Sequence, residues 1–193
     1  MWNLIEETIK EGNSLITHHK NFIVGSLSIA AEAACAQAEA LGFKTELLTT
    51  LLRGEARVVG AELANRLVGL VKNKNRRERP LCLIAGGETT VTVTGNGKGG
   101  RNQELALAAA QVLEGFDDCA LISFATDGED GPTDSAGGFV TSKTIQAGLD
   151  LGLDSQIYLN KNNAYEFLEK TDALIRTGPT GTNVNDLVLL FAF

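Results

Sequence analysis

Short uninterrupted apolar runs alternate along this chain with stretches whose apolar residues recur at helical spacing. Residues 2–11 read as an opening helix, and the apolar run within residues 21–25 reads as a buried strand. An alanine-rich helix follows from Ser28 and stops at Leu41, with Gly42 placed to cap it. Residues 43–48 predict a second strand, and residues 55–71 a second helix that ends in a charged linker before Pro80.

Beyond Pro80 the pattern becomes strand-rich. Residues 81–85 are continuously apolar, Gly86 and Gly87 turn the chain, and residues 89–94 alternate Val with Thr as a β return would. A glycine loop at residues 95–100 opens a helix over 102–113, and residues 119–125 predict a buried strand that runs into an acidic loop. Helices are expected near 142–151 and over 163–170, and an apolar strand over 187–193. This alternation predicts a layered α/β/α fold with a mostly parallel or mixed sheet. In such sheets ligands gather at the carboxyl ends of strands, and three polar loops lie beside predicted strands.

Composition removes several classes of function. At 193 residues and 44% hydrophobic residues the chain has the makeup of an ordinary globular α/β protein. Its net charge of −7 is mixed along the sequence, so nucleic acid is not expected as a partner. The basic run at 72–79 reads as a solvated helix end. Cys35, Cys82 and Cys119 form no metal-binding spacing and read as reduced thiols. His18 and His19 offer no ligand pattern for zinc. With no apolar span or leader pattern, a cytoplasmic location without a membrane anchor is expected.

The chemistry concentrates in the three loops. Gly95-Asn-Gly-Lys-Gly-Gly-Arg-Asn-Gln-Glu104 leads into a helix N-terminus, where amides, the helix dipole, Lys98 and Arg101 would favour an anion. It is no Walker loop, although Gly95, Gly97 and Gly100 match the dinucleotide spacing, and a plain glycine turn remains the alternative. Thr126-Asp-Gly-Glu-Asp-Gly-Pro-Thr-Asp134 crowds four carboxylates in nine residues, as a site for Mg2+ or a solvated acidic turn would. The calcium-loop pattern fails, because Gly138 occupies its twelfth position counted from Asp127. Gly178-Pro-Thr-Gly-Thr-Asn-Val-Asn-Asp186 could recognise a hydroxy acid or nucleotide sugar, or simply turn the chain.

Together with Gly86-Gly-Glu-Thr-Thr-Val91, these loops resemble, in order, the MOFRL domain of the glycerate 2-kinases, some of whose members are labelled hydroxypyruvate reductase. The resemblance places a MOFRL-like domain at 80–193 and, at 1–79, a remnant of the preceding nucleotide-binding-like domain. It implies phosphorylation of D-glycerate by ATP with a divalent metal, Mg2+, to give 2-phosphoglycerate. Arg101 would stabilise the transferring phosphoryl group, with Asp127 as the other catalytic group and Asp127 and Asp130 at the metal. Gly97, Lys98, Gly99, Gly100, Asn102, Glu88, Thr180, Thr182, Asn183 and Asp186 would contact phosphate or substrate. Family enzymes carry a larger N-terminal part, so the chain is expected to hold only a C-terminal part of the site. Its expected partners are glycerate, a nucleotide, and either a second copy or a separate N-terminal half. A nicotinamide-dependent reductase and a non-catalytic binding or dimerising remnant are the alternative readings.

Overall fold

A computed structural model describes residues 20, 22–72 and 80–193. The expected helix at 2–11 and most of the basic run at 72–79 lie outside these residues. Among the described residues, six strands form one mixed sheet, with helices on both faces.

The first helix, α1 (Leu27–Ala40), starts where the Ser26 hydroxyl accepts the Ile29 amide at 3.2 Å. Gly42 follows its end at φ 90°, as expected of the residue that turns a helix C-terminus. Strand β1 (Lys44–Leu52) leads to α2 (Ala56–Lys72), then β2 (Leu81–Gly87), α3 (Arg101–Leu113) and β3 (Cys119–Ala125). Next come β4 (Gly137–Thr141), α4 (Thr144–Asp150), α5 (Ser155–Asn160), α6 (Ala164–Lys170), the short β5 (Leu174–Ile175) and β6 (Asp186–Ala192).

The sheet order is β1-β2-β6-β3-β4-β5. Only β1 and β2 pair in parallel, because the C-terminal strand β6 inserts between β2 and β3 and runs against both. Of the two expected arrangements, mostly parallel or mixed, the sheet is the mixed one. The expected boundary near residue 80 falls between the paired strands β1 and β2, and α2 and α3 share one core.

Alternation along the strands divides the apolar residues between two layers. Leu83, Leu121, Val188 and Leu190 face the main core beneath α2, α3, α5 and α6. Cys82, Ile84 and Leu187 face α1. Among the described residues α1 is the helix that packs on this face, and Phe139 of β4 is 45% exposed.

Two expected strands are corrected. Phe22, Ile23 and Val24 are exposed and unpaired, since no described strand lies beside them to take up their hydrogen bonds. The 89–94 segment makes only an isolated bridge between Thr90 and Glu55, and the Thr92 amide donates to the Glu55 carboxylate instead of to a ladder. It runs as an extended strap.

The register aligns the ends of four strands. Leu52 is opposite Gly87, Gly87 is opposite Asp186, and Asp186 is opposite Ala125. The segments beginning at Arg53, Glu88 and Thr126, and the loop that enters β6, therefore meet along one end of the sheet.

Candidate functional site

Two adjoining clefts open at this end of the sheet. The larger, about 540 Å³, is walled by the 88–93 strap, Gly97, Gly99, Gly100 and Arg101 of the glycine loop, Glu104, Gly131, Pro132 and Asn162. The smaller, about 300 Å³, is lined by Thr50, Leu51, Leu52, Arg53, Gly87 and Asn185. Glu88, Thr89 and Thr90 line both.

Arg101 is the first residue of α3. Its Nε and Nη2 donate to Asp186 Oδ2 and Oδ1 at 2.6 and 2.8 Å, a two-point fork that fixes the guanidinium plane at the edge of the larger cleft. The bond to Asp186 holds the Arg101 proton more tightly than usual. Burial pushes the Asp186 carboxyl up, and the bond from Arg101 opposes that shift. Asp186 is only 4% exposed. It lines neither cleft and meets the larger one through Arg101.

The start of α3 differs from the expected open anion cradle. Asp130, fully buried, reaches across and accepts the amides of Asn102 at 3.2 Å and Gln103 at 2.9 Å through its two oxygens. Gly100, the N-cap position, has no side chain to cap the helix, and a β-carbon there would collide with the Asp130 carboxyl. Asp130 thus caps α3 from another loop. Burial raises its carboxyl to about 6 against the opposing pull of those amides and of Arg101. Both oxygens of Asp130, expected at a metal, are committed inside the protein to the amides that open α3. Asn102, 1% exposed, donates to Asp130 and accepts from the Ser123 hydroxyl at 2.6 Å, so both ends of its side-chain amide are engaged inside the protein. Among the described residues, the amides of Gly99, Gly100 and Arg101 meet no acceptor, and all three residues line the larger cleft.

The glycine spacing has a packing origin. A β-carbon on Gly95 would strike the Lys161 backbone, and one on Gly97 would strike Asn163. The loop is strapped to the α5–α6 turn: Asn162 Oδ1 accepts the amides of Thr94 at 2.8 Å and Gly95 at 2.9 Å. Asn162 Nδ2 donates to Glu104 at 3.1 Å, and Arg57 Nε donates to the other Glu104 oxygen at 2.7 Å. These contacts account for the dinucleotide-like pattern that supported a reductase. Lys98 turns outward, its ammonium 4.1 Å from the Tyr165 ring centre, and does not line either cleft.

Asp127 and the terminal loop form the rim. Asp127 accepts the Glu129 amide at 3.1 Å and the Asn183 side-chain amide at 2.8 Å. Thr180 donates its hydroxyl to the Thr126 carbonyl at 2.6 Å, and the Thr182 amide bonds back to Thr180. Thr180, Thr182 and Asn183 are exposed and, like Asp127, lie outside the lining of both clefts. Among the described residues, no group of three or more His, Cys, Asp or Glu side chains is arranged to hold a metal. No described helix is long and apolar enough to cross a membrane.

Sequence reasoning passed over Arg53, Asn162 and Asn185. Asn162 and Asn185 adopt left-handed backbone conformations at φ 52° and 68°, and asparagines between predicted elements are the one signal of such positions.

The chain is similar to known kinases over nearly its whole length. It is 42% identical over 186 residues to a glycerate 2-kinase of Pyrococcus horikoshii, covering 96% of this chain and 41% of that protein. Identity to a D-glycerate 2-kinase of Thermotoga maritima is 46% over 190 residues, covering 96% and 44%. A crystal structure of the Thermotoga maritima glycerate kinase superposes with a TM-score of 0.86, over 89% of this chain and 42% of that one. The chain thus spans less than half the length of these relatives. The MOFRL family model matches residues 81–186, which hold all four motifs and the Arg101–Asp186 pair, and the chain belongs to the MOFRL family.

Proposed function

We propose that the chain is the phosphate-side part of a glycerate kinase-type phosphotransferase, converting ATP and D-glycerate to ADP and 2-phosphoglycerate. The observation that carries this reading is the Arg101 fork, held by Asp186 beside three unpaired amides in an open cleft. Such a site suits an anion that gains charge at its oxygens as a phosphoryl group transfers. The similarity to glycerate 2-kinases supports the choice of substrate.

In the transfer, a substrate hydroxyl oxygen bonds to the γ-phosphorus while the bond to the bridging oxygen breaks, and ADP leaves with that electron pair. Arg101, with its remaining N–H groups, and the amides of Gly99 and Gly100 neutralise the phosphoryl oxygens. Glu88 stands where both clefts meet, near enough to Arg101 and Asp186 to influence their charge. It is assigned to receive the hydroxyl proton or to hold Mg2+, which needs only one or two carboxylates when phosphates supply the other oxygens. Mg2+ would supply charge neutralisation to the nucleotide. Asp127 would act from the rim, through a substrate that reaches it.

Phe139, 45% exposed on β4, supports a covering partner, either the remaining length found in the relatives or a second copy. A cytoplasmic location fits use of ATP. Formation of ADP and 2-phosphoglycerate from D-glycerate, ATP and Mg2+ tests the reading. The chain should be assayed alone and together with an N-terminal portion of the relatives' length. Turnover in either mixture, lost in Arg101→Gln, is expected; absence of turnover in both contradicts the reading.

A further inference from the structure

The smaller cleft holds a cation that the site described above does not use. Arg53 follows β1 directly and is exposed, and among the described residues it has neither an ion-pair nor a hydrogen-bond partner. This contrasts with Arg57, Arg66, Arg101 and Arg176, each of which is engaged by a carboxylate. Arg53 is also the one cationic side chain among the residues lining this cleft.

Its neighbours share that lack of partners. Thr50, Thr89 and Asn185 line the same cleft, and their side chains make no hydrogen bonds among the described residues. Thr89 is 5% exposed, and its hydroxyl keeps some contact with solvent at the junction of the two clefts. Asn185, at φ 68°, lines this cleft together with Glu88 where the strand ends align. Two threonines, an asparagine and an arginine, with side chains that have no partner among the described residues, therefore line a space of about 300 Å³ that adjoins the Arg101 cleft.

We propose that Arg53, with Thr50, Thr89 and Asn185, forms a carboxylate subsite that selects a small hydroxy acid as phosphoryl acceptor. The proposal rests on the phosphotransferase reading and assigns the acceptor's other end. A planar carboxylate matches the two-pronged guanidinium, and the threonine and asparagine donors can satisfy its remaining lone pairs. Glu88 lies between the two cations, where it repels a continuous anion but accepts from a hydroxyl. A ligand with a carboxylate at Arg53, a hydroxyl at Glu88 and phosphate near Arg101 satisfies all three groups. A polyol without a carboxylate leaves Arg53 bare.

The test is a pair of calorimetric titrations of the chain, with D-glycerate and with inorganic phosphate, repeated on Arg53→Gln, Arg53→Lys and Arg101→Gln. Arg53 is exposed and unpaired, so its substitution should leave unfolding unchanged, which thermal denaturation verifies. Arg53→Gln is expected to weaken glycerate by about tenfold or more, with partial recovery in Arg53→Lys, and to leave phosphate affinity as it was. Glycerol should not bind. Glycerate affinity that is the same in Arg53→Gln as in the wild-type chain, or no glycerate binding at all, overturns the carboxylate subsite. Failure of phosphate binding, by contrast, removes the role given to Arg101, and a glycerate response that still depends on Arg53 continues to support the subsite.

Discussion

Arg101 and Asp186, 85 residues apart in sequence, are joined by two hydrogen bonds of 2.6 and 2.8 Å. The pair links the first turn of α3 to the first residue of the terminal strand, and it makes the orientation of the cation a property of the fold. Asp186 is 4% exposed, so removing its partner strands a buried charge. Arg101→Gln is expected to cost about 2–3 kcal/mol of stability, less than a fully buried pair because the guanidinium is partly solvated. Combining it with Asp186→Asn should recover much of that loss. Denaturant titrations of the two single variants and the double variant measure the coupling. Phosphate binding should be lost wherever Arg101 is replaced, and should fall about tenfold in Asp186→Asn, where the fork loses its anchor.

Asp130 makes a distinct pH dependence. Burial raises its folded-state carboxyl to about 6, above its ordinary value, so folding favours the protonated form. Its contribution to stability is therefore fully present below the unfolded value near 4 and is lost as pH rises through about 6. Asp130→Asn removes this term. The difference in unfolding free energy between the wild-type chain and this variant should change by on the order of 3 kcal/mol between pH 4 and pH 7. A pH-independent difference contradicts the assignment of Asp130 as a buried cap.

Asn162 ties the glycine loop to the α5–α6 turn. Its side chain accepts two loop amides and donates to Glu104, from a backbone at φ 52°. Asn162→Ala loses these bonds and places a residue less tolerant of that conformation, at an expected cost of about 2–4 kcal/mol. Asn162→Gly should cost less, since it keeps the backbone comfortable. Hydrogen exchange should quicken at the Thr94 and Gly95 amides in both.

The glycines of the loop divide into two kinds. Alanine at Gly97 would collide with Asn163 and should destabilise the fold. At Gly99 a β-carbon would meet its nearest neighbours at 3.5 Å, an ordinary contact, but it would sit beside the unpaired amides of the larger cleft. Gly99→Ala is therefore expected to unfold like the wild-type chain and to bind phosphate more weakly. Paired melting curves and titrations separate the two effects.

Much of this arrangement was legible from residue order. The main helices and the strands β1, β2, β3 and β6 follow from apolar periodicity, and the four motifs identify the family through loops that do meet at one end of the sheet. Periodicity was silent on β4, where Gly137 and Gly138 take the place of the usual strand residues because β-carbons would strike Ser123 and Ala106. The apolar run at 22–24 misled for the opposite reason: its composition suits a strand, but the described fold provides no neighbour. The insertion of β6 between β2 and β3 is a tertiary choice that local spacing does not encode. Residue types alone also could not separate Asp130, a helix cap, from Asp127, a rim residue, because the distinction lies in which amides each meets.

The most direct test of the Arg101 cleft is an amide chemical-shift titration of the chain with inorganic phosphate. The largest changes are predicted at the backbone amides of Gly99, Gly100 and Arg101, with smaller ones at Asn102 and Gln103, whose amides already donate to Asp130. Perturbations that map away from this cleft, or that persist undiminished in Arg101→Gln, would contradict the account.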